Sequence, residues 1–186
     1  MFTLLVAIVV AFLLAIRAYW VGPYNAASSS MLPAITNGDH FLVFKQYPTP
    51  ERGDIVVYAP PAYPNTSYVH RLIGMPGDRI QMLDGQLHIN GRPVERSQIE
   101  DYVYDGTRVK QWREILPNGV THYTIDIMDK GFYDNTPVYI VPKDHYFMMG
   151  DNRDNSTDSR VQSRIGMVPR KNLIGRVFFC MRSPCR

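Results

Sequence analysis

Three consecutive serines, Ser28-Ser29-Ser30, run into Met31-Leu32-Pro33. A proline closing a run of hydroxyls makes a shaped turn, and serines there ordinarily serve as turn and capping chemistry. The sharper reading is a serine nucleophile, which needs a base elsewhere to take its proton. His70 stands in Tyr68-Val69-His70-Arg71-Leu72-Ile73-Gly74, where alternation puts Tyr68, His70 and Leu72 on one strand face. A histidine so placed is more often a hydrogen-bonded core residue than a catalyst. A third block, Gly150-Asp151-Asn152-Arg153-Asp154-Asn155-Ser156-Thr157-Asp158-Ser159-Arg160, follows an apolar stretch directly. Its carboxylates and guanidiniums read as a network that fixes a neighbouring group. As a calcium loop it lacks the turn glycine and the closing glutamate. His40, His88, His122 and His145 show no metal-ligand spacing, so neither a metal nor any other cofactor is expected.

The elements that must position these residues are mostly strands. The chain has 186 residues, 45% of them apolar and 20% charged, which suits one domain with a real core. The formal net charge of +3 is spread out, with no basic run that would mark a nucleic-acid surface. Residues 1–21 are expected to form a single transmembrane anchor: Met1 to Ile16 carry no charge, Arg17 snorkels, and Tyr19 and Trp20 fall at an interfacial belt. Strands are predicted at Phe41–Phe44, Ile55–Tyr58, Tyr68–Gly74, Tyr146–Met149 and Leu173–Phe179. Residues 22–78 and 145–186 then form a β core, and 79–144 a β-rich insertion punctuated by Asp84-Gly85 and Asn90-Gly91. No chemistry is legible in that insertion. Cys180 and Cys185 are open to two readings, a small bridged loop or two free thiols.

Taken together, four ordered blocks resemble the bacterial type I signal peptidases (leader peptidases, peptidase S26 family). They are Ser28–Pro33, Arg52-Gly53-Asp54-Ile55-Val56-Val57, Tyr68–Asp78, and Met148–Ser156 with Asp158-Ser159-Arg160. The resemblance implies a mainly antiparallel β catalytic domain on one N-terminal transmembrane helix. It implies a membrane-bound serine endopeptidase that cleaves signal peptides from exported preproteins after small residues at −1 and −3. The partners implied are those signal peptides and membrane lipid, with no nucleic acid. The place implied is the inner (cytoplasmic) membrane, with the catalytic domain on the extracytoplasmic side; Arg17 alone points faintly the other way. By position, Ser30 corresponds to the nucleophile, and its N–H with the Ser28 hydroxyl to the oxyanion hole. Tyr24, Ala26, Met31, Phe41, Tyr68 and Val69 correspond to residues that shape the substrate pockets.

The chain departs from the family at the base. Most bacterial members carry lysine where His70 stands, and Ala27 and Ala34 replace the usual proline and threonine. An imidazole starts near pKa 6.5 and needs no large shift to be neutral, so the rate is expected to rise through roughly pH 6 to 7. It needs its tautomer set by an acceptor on the other nitrogen. Asp158 is expected in that role, giving a Ser30–His70–Asp158 triad, with Asp151 second. Ser156 is expected to bond to His70, and Arg160 to keep Asp158 ionised. The rival readings are a weak or inactive signal-peptidase-like binding protein and a peptidase dedicated to one pilin or conjugation substrate.

Overall fold

The computed structural model describes residues 5–6, 19–47 and 49–185. The expected anchor lies almost wholly outside them, as does the turn residue Pro48. Among the described residues no helix is long and apolar enough to cross a membrane. The chain opens with β1 (Val21–Asn25), β2 (His40–Phe44), β3 (Ile55–Tyr58) and β4 (Tyr68–Gly74). It continues through β5 (Arg79–Leu83), β6 (Gln86–Ile89), β7 (Arg92–Pro93), β8 (Glu95–Gln98), β9 (Tyr102–Tyr104), β10 (Thr107–Ile115), β11 (Thr121–Asp126) and β12 (Tyr139–Ile140). It closes with β13 (His145–Met149), β14 (Val168–Pro169) and β15 (Leu173–Cys180).

The first and last groups of strands form one seven-stranded sheet, in the order β1-β2-β15-β3-β4-β13-β14. Every residue of β3 is buried, because this β-branched strand is covered on both faces. Ile55 and Val57 pack with Met31, Phe41, Val43 and Val177 on one side. Val56 and Tyr58 pack with Leu72, Tyr146 and Met148 on the other. Strand β1 was not legible in the sequence, where Gly22-Pro23 reads as a helix stop. It tolerates Pro23 because among the described residues it is an edge, bonded to β2 and to no other strand.

The middle of the chain makes two further sheets, β12-β5-β6-β7 and β11-β10-β8, with β9 paired to β10. Asp84-Gly85 and Asn90-Gly91 take positive φ at consecutive residues, the geometry of tight turns between antiparallel strands. Ile80, Met82, Leu87 and Ile89 pack on Ile73, Phe147 and Met149 of the large sheet. The other sheet reaches the serine turn itself: Leu32 is buried with Val109 and Ile125. The segment without visible chemistry therefore braces the serine turn.

A second brace comes from the C-terminus, where Cys180 and Cys185 form a disulfide. The loop it closes lies along the segment between β1 and β2. Cys185 N–H donates to Ala34 O, and Met181 N–H to His40 O. Ser183 N–H and Arg182 N–H donate to the Asp39 carboxylate, and Thr36 N–H to Ser183 Oγ at 3.0 Å. A cross-link over so short a loop contributes about 2 kcal/mol by limiting the unfolded chain. Replacing both cysteines with serine is expected to lower unfolding stability by about that amount in a denaturant titration. An unchanged midpoint would show the loop to be held by its hydrogen bonds alone.

Candidate active site

The serine turn is built by local bonds and then held from outside. Ile35 N–H donates to Met31 O and Leu32 N–H to Ser29 O, curling the chain once. This orients Ser28 and Ser30 together: their hydroxyls are 3.0 Å apart, and Ser30 N–H points at Ser28 Oγ at 3.5 Å. The loop after β13 supplies the outer hold. Asn152 N–H donates to Ser30 O at 3.0 Å, and Asn152 Nδ2 to Ser29 O at 3.1 Å. Gly150 lets the two segments touch. A Cβ there would fall on Ser156 Oγ and lie 2.6 Å from Ser30 O.

Ser156 joins this turn to the histidine. Its hydroxyl is 3.2 Å from His70 Nε2. The other ring nitrogen, Nδ1, is 2.8 Å from the hydroxyl of Tyr58 on β3. The ring also lies beside two phenol rings, with centroids 5.9 Å away for Tyr58 and 6.1 Å for Tyr68. His70 is 1% exposed and Ser30 8%. Burial pushes the His70 pKa down to about 4, against the upward pull of Asp158. The ring is therefore neutral well below pH 6, not across the range expected of an unperturbed imidazole.

Two expected contacts differ. Asp158 does not bond to His70. Its oxygens are taken by Gly150 N–H at 2.9 Å, by Arg160 N–H, and by the Arg160 guanidinium at 2.9 and 2.8 Å. Burial pushes its pKa up, but Arg160 outweighs burial and holds it at about 2, so it acts on His70 as a fixed charge at a distance. Asp151 is equally committed, bidentate to Arg71 at 2.8 and 2.6 Å. Ser30 and His70 are not hydrogen-bonded to each other, because the short imidazole ends at Ser156 and the Ser30 hydroxyl is turned to Ser28.

Beside Ser30 opens a cavity of about 390 Å³. Tyr24, Phe41, Tyr68 and Val69 line it, as do Ser28 and Ser30. Ala26 and Met31, expected in its wall, are instead core residues with 4% and 1% exposure. The turn directs both inward, and Asn25, Ala27, Thr66 and Ser67 take the wall positions. A further buried group lies behind the loop. Glu114 receives Arg153 at 3.1 and 2.6 Å and has His122 Nε2 at 3.3 Å. Ile125 of β11 bonds Asp151 O and Arg153 N–H, which fastens the loop to the insertion. Sequence reading missed Tyr58, Gly150, Asn152 and Glu114. Tyr58 had a usable signal, a polar tip closing an apolar strand, but its partner depends on a pairing across the long loop 59–67.

The family model for signal peptidase, peptidase S26, matches residues 1–182. A signal peptidase I of Rickettsia typhi is 44% identical over 70% of this chain and 51% of its own. One from Rickettsia conorii is 34% identical over 93% of this chain and 76% of its own. The chain thus spans about half the length of the first of these relatives. A crystal structure of a signal peptidase I from Enterococcus faecalis V583 superposes with a TM-score of 0.44 and 25% identity, covering 72% of this chain and 100% of that one.

The buried charges give a signed pH dependence. Burial pushes the Glu114 carboxyl up, but Arg153 and His122 outweigh it and hold it at about 2, as Arg160 holds Asp158 at about 2. Folded-state values below the unfolded ones mean that stability is full above pH ~4.5 and lost as pH falls toward 2. His70, neutral in the fold until about pH 4, adds a loss that starts as pH falls below ~6.5. Denaturant midpoints are expected to be lower at pH 3 than at pH 7, with Asp126, pushed up to about 6 by burial, offsetting part of the loss below pH 6, and Glu114→Gln with Asp158→Asn to flatten the lower part. A flat wild-type profile would contradict these assignments.

Proposed function

Since the chain belongs to the signal peptidase family, peptidase S26, we propose that it is a membrane-bound serine endopeptidase that cleaves signal peptides from exported preproteins after small residues. Ser30 is the nucleophile and His70 the base. The observation that carries this reading is the placement of Ser28 and Ser30 in the wall of a cavity between two unfilled strand edges. β1 bonds to a neighbour on one side, and β13 pairs with β4 from Arg71 to Gly74, not at Tyr68 to His70. An extended peptide fits between those edges, backbone to backbone, with its side chains pointing into a shallow space between Tyr24, Phe41, Tyr68 and Val69. That arrangement favours small side chains at alternate positions.

In the reaction, Ser30 Oγ attacks the scissile carbonyl and gives up its proton to His70 Nε2, the nitrogen that faces Ser156. Ser30 N–H and the Ser28 hydroxyl are the donors for the developing oxyanion. The imidazolium returns the proton to the leaving amine, and water then hydrolyses the acyl-enzyme with His70 again as base. The fixed negative charge of Asp158 favours the imidazolium without touching it. The apolar run at 1–21 serves as the anchor, at the inner membrane, with the β domain on the extracytoplasmic side.

One observation favours a second reading, a binding protein with the fold but little catalysis: Ser30 and His70 each bond to a different serine. Detergent-solubilised protein and a preprotein whose signal peptide ends in Ala-x-Ala separate the two. Cleavage after the final alanine is expected in wild type. It should be abolished in Ser30→Ala and reduced about 10²–10⁴-fold in His70→Ala. The acid limb of kcat/KM is expected near pH 4, from the depressed histidine, with circular dichroism run alongside to exclude unfolding. A limb above pH 7 would assign the base to another group. Binding without cleavage in wild type would establish the second reading.

A further inference from the structure

The residue that holds the base is not a carboxylate. The Tyr58 hydroxyl lies 2.8 Å from His70 Nδ1 and is fully buried at the end of β3. The placement follows from register. β3 and β4 pair antiparallel with Val56 opposite His70 and Tyr58 opposite Tyr68. Tyr58 and His70 therefore share one face and sit diagonally, close enough for a phenol to reach an imidazole. The groups facing the ring come from three elements. They are Tyr58 on β3, Tyr68 on β4, and Asp151, Ser156, Asp158 and Arg160 on the loop after β13. Both aspartates are bonded to arginines, which leaves Tyr58 as the group on Nδ1.

We infer that Tyr58 is the positioning residue of the base: its hydroxyl holds Nδ1 through the whole proton cycle, so that Nε2 keeps facing Ser156 and the nucleophile. This rests on the reading of His70 as the base. A phenol suits the task because its oxygen accepts from Nδ1–H in the neutral ring and in the imidazolium alike. Among the described residues the Tyr58 hydroxyl has no hydrogen-bond partner besides Nδ1. For Nε2 to serve as the base, the ring hydrogen sits on Nδ1 and is donated to the Tyr58 oxygen, which leaves the Nε2 lone pair toward Ser156; the 2.8 Å and 3.2 Å contacts fit this tautomer. Once the imidazolium forms, Nδ1–H···O becomes a charge-assisted bond and strengthens. The hydroxyl thus stabilises the charged ring more than the resting one, and the effect belongs to kcat. Burial pushes the Tyr58 pKa well up, helped by the Asp158 charge and by Tyr68, so the phenol keeps its proton throughout.

Tyr58→Phe in the full chain tests this, since it removes one atom and keeps the ring in the core. Cleavage of the same preprotein is expected to show kcat down about tenfold with KM within about twofold. The acid limb is expected to move to lower pH, because the imidazolium loses its acceptor. Nitrogen-15 spectra of labelled histidine supply a readout independent of activity. Wild type is expected to show His70 as one neutral tautomer with hydrogen on Nδ1, and Tyr58→Phe a mixture or a shifted pair of signals. Unchanged nitrogen signals, or changed signals with unchanged kcat and limb, overturn the proposal, while a strongly impaired His70→Ala would still leave His70 as the base. An active His70→Ala is a different result, which removes the base itself.

Discussion

The ion pair between Asp158 and Arg160 is the constraint on which the site depends. Both side chains are almost wholly buried, and every oxygen of Asp158 is used: two by the guanidinium, with backbone N–H groups of Gly150 and Arg160 sharing them. A buried charge is tolerated only when paired and fully bonded, so this geometry admits little slack. It folds the loop after β13 back on its own start and sets Ser156 against Gly150. From there the order propagates by contact, to the serine turn on one side and to the imidazole on the other.

Two further buried pairs extend the frame outward. Arg71 with Asp151 ties the loop to β4, and also reaches Gly53 O on the turn before β3. Arg153 with Glu114 ties it to β10 of the insertion. The three pairs lie in different directions from one short loop, which explains why a segment so rich in charge can be buried at all. The disulfide-closed C-terminus does the same work on the opposite flank, gripping residues 34–40 just beyond the serine turn. Ser30 is thereby held from the loop, the insertion and the terminus, although its own turn is only a few residues long.

A histidine at position 70 has structural consequences beyond its own pKa. A flexible ammonium finds its orientation from length, whereas a short planar ring must be held at both nitrogens. Tyr58 and Ser156 provide those two holds, and Tyr68 provides a wall. The same enclosure that orients the ring also desolvates it and depresses its pKa, so orientation and basicity are linked here and cannot be tuned apart.

Much of this was legible in the amino-acid sequence. Strands β2, β3, β4, β13 and β15 follow from runs of β-branched and aromatic residues between turn residues, and Asp84-Gly85 and Asn90-Gly91 mark tight turns by their tolerance of positive φ. The serine turn, His70 and the charged loop stood out by residue type, because chemistry needs those types. The partners did not. Whether Asp158 meets His70 or Arg160, whether Met31 faces the cavity or the core, and that Tyr58 reaches Nδ1 all depend on cross-strand register and on which way a loop folds back. Those are decided by packing among residues far apart in the chain, and local pattern carries no record of them. The sequence determined which groups are present and on which elements; tertiary structure decided which of them touch, because a hydrogen bond requires ångström-level placement that no periodicity encodes.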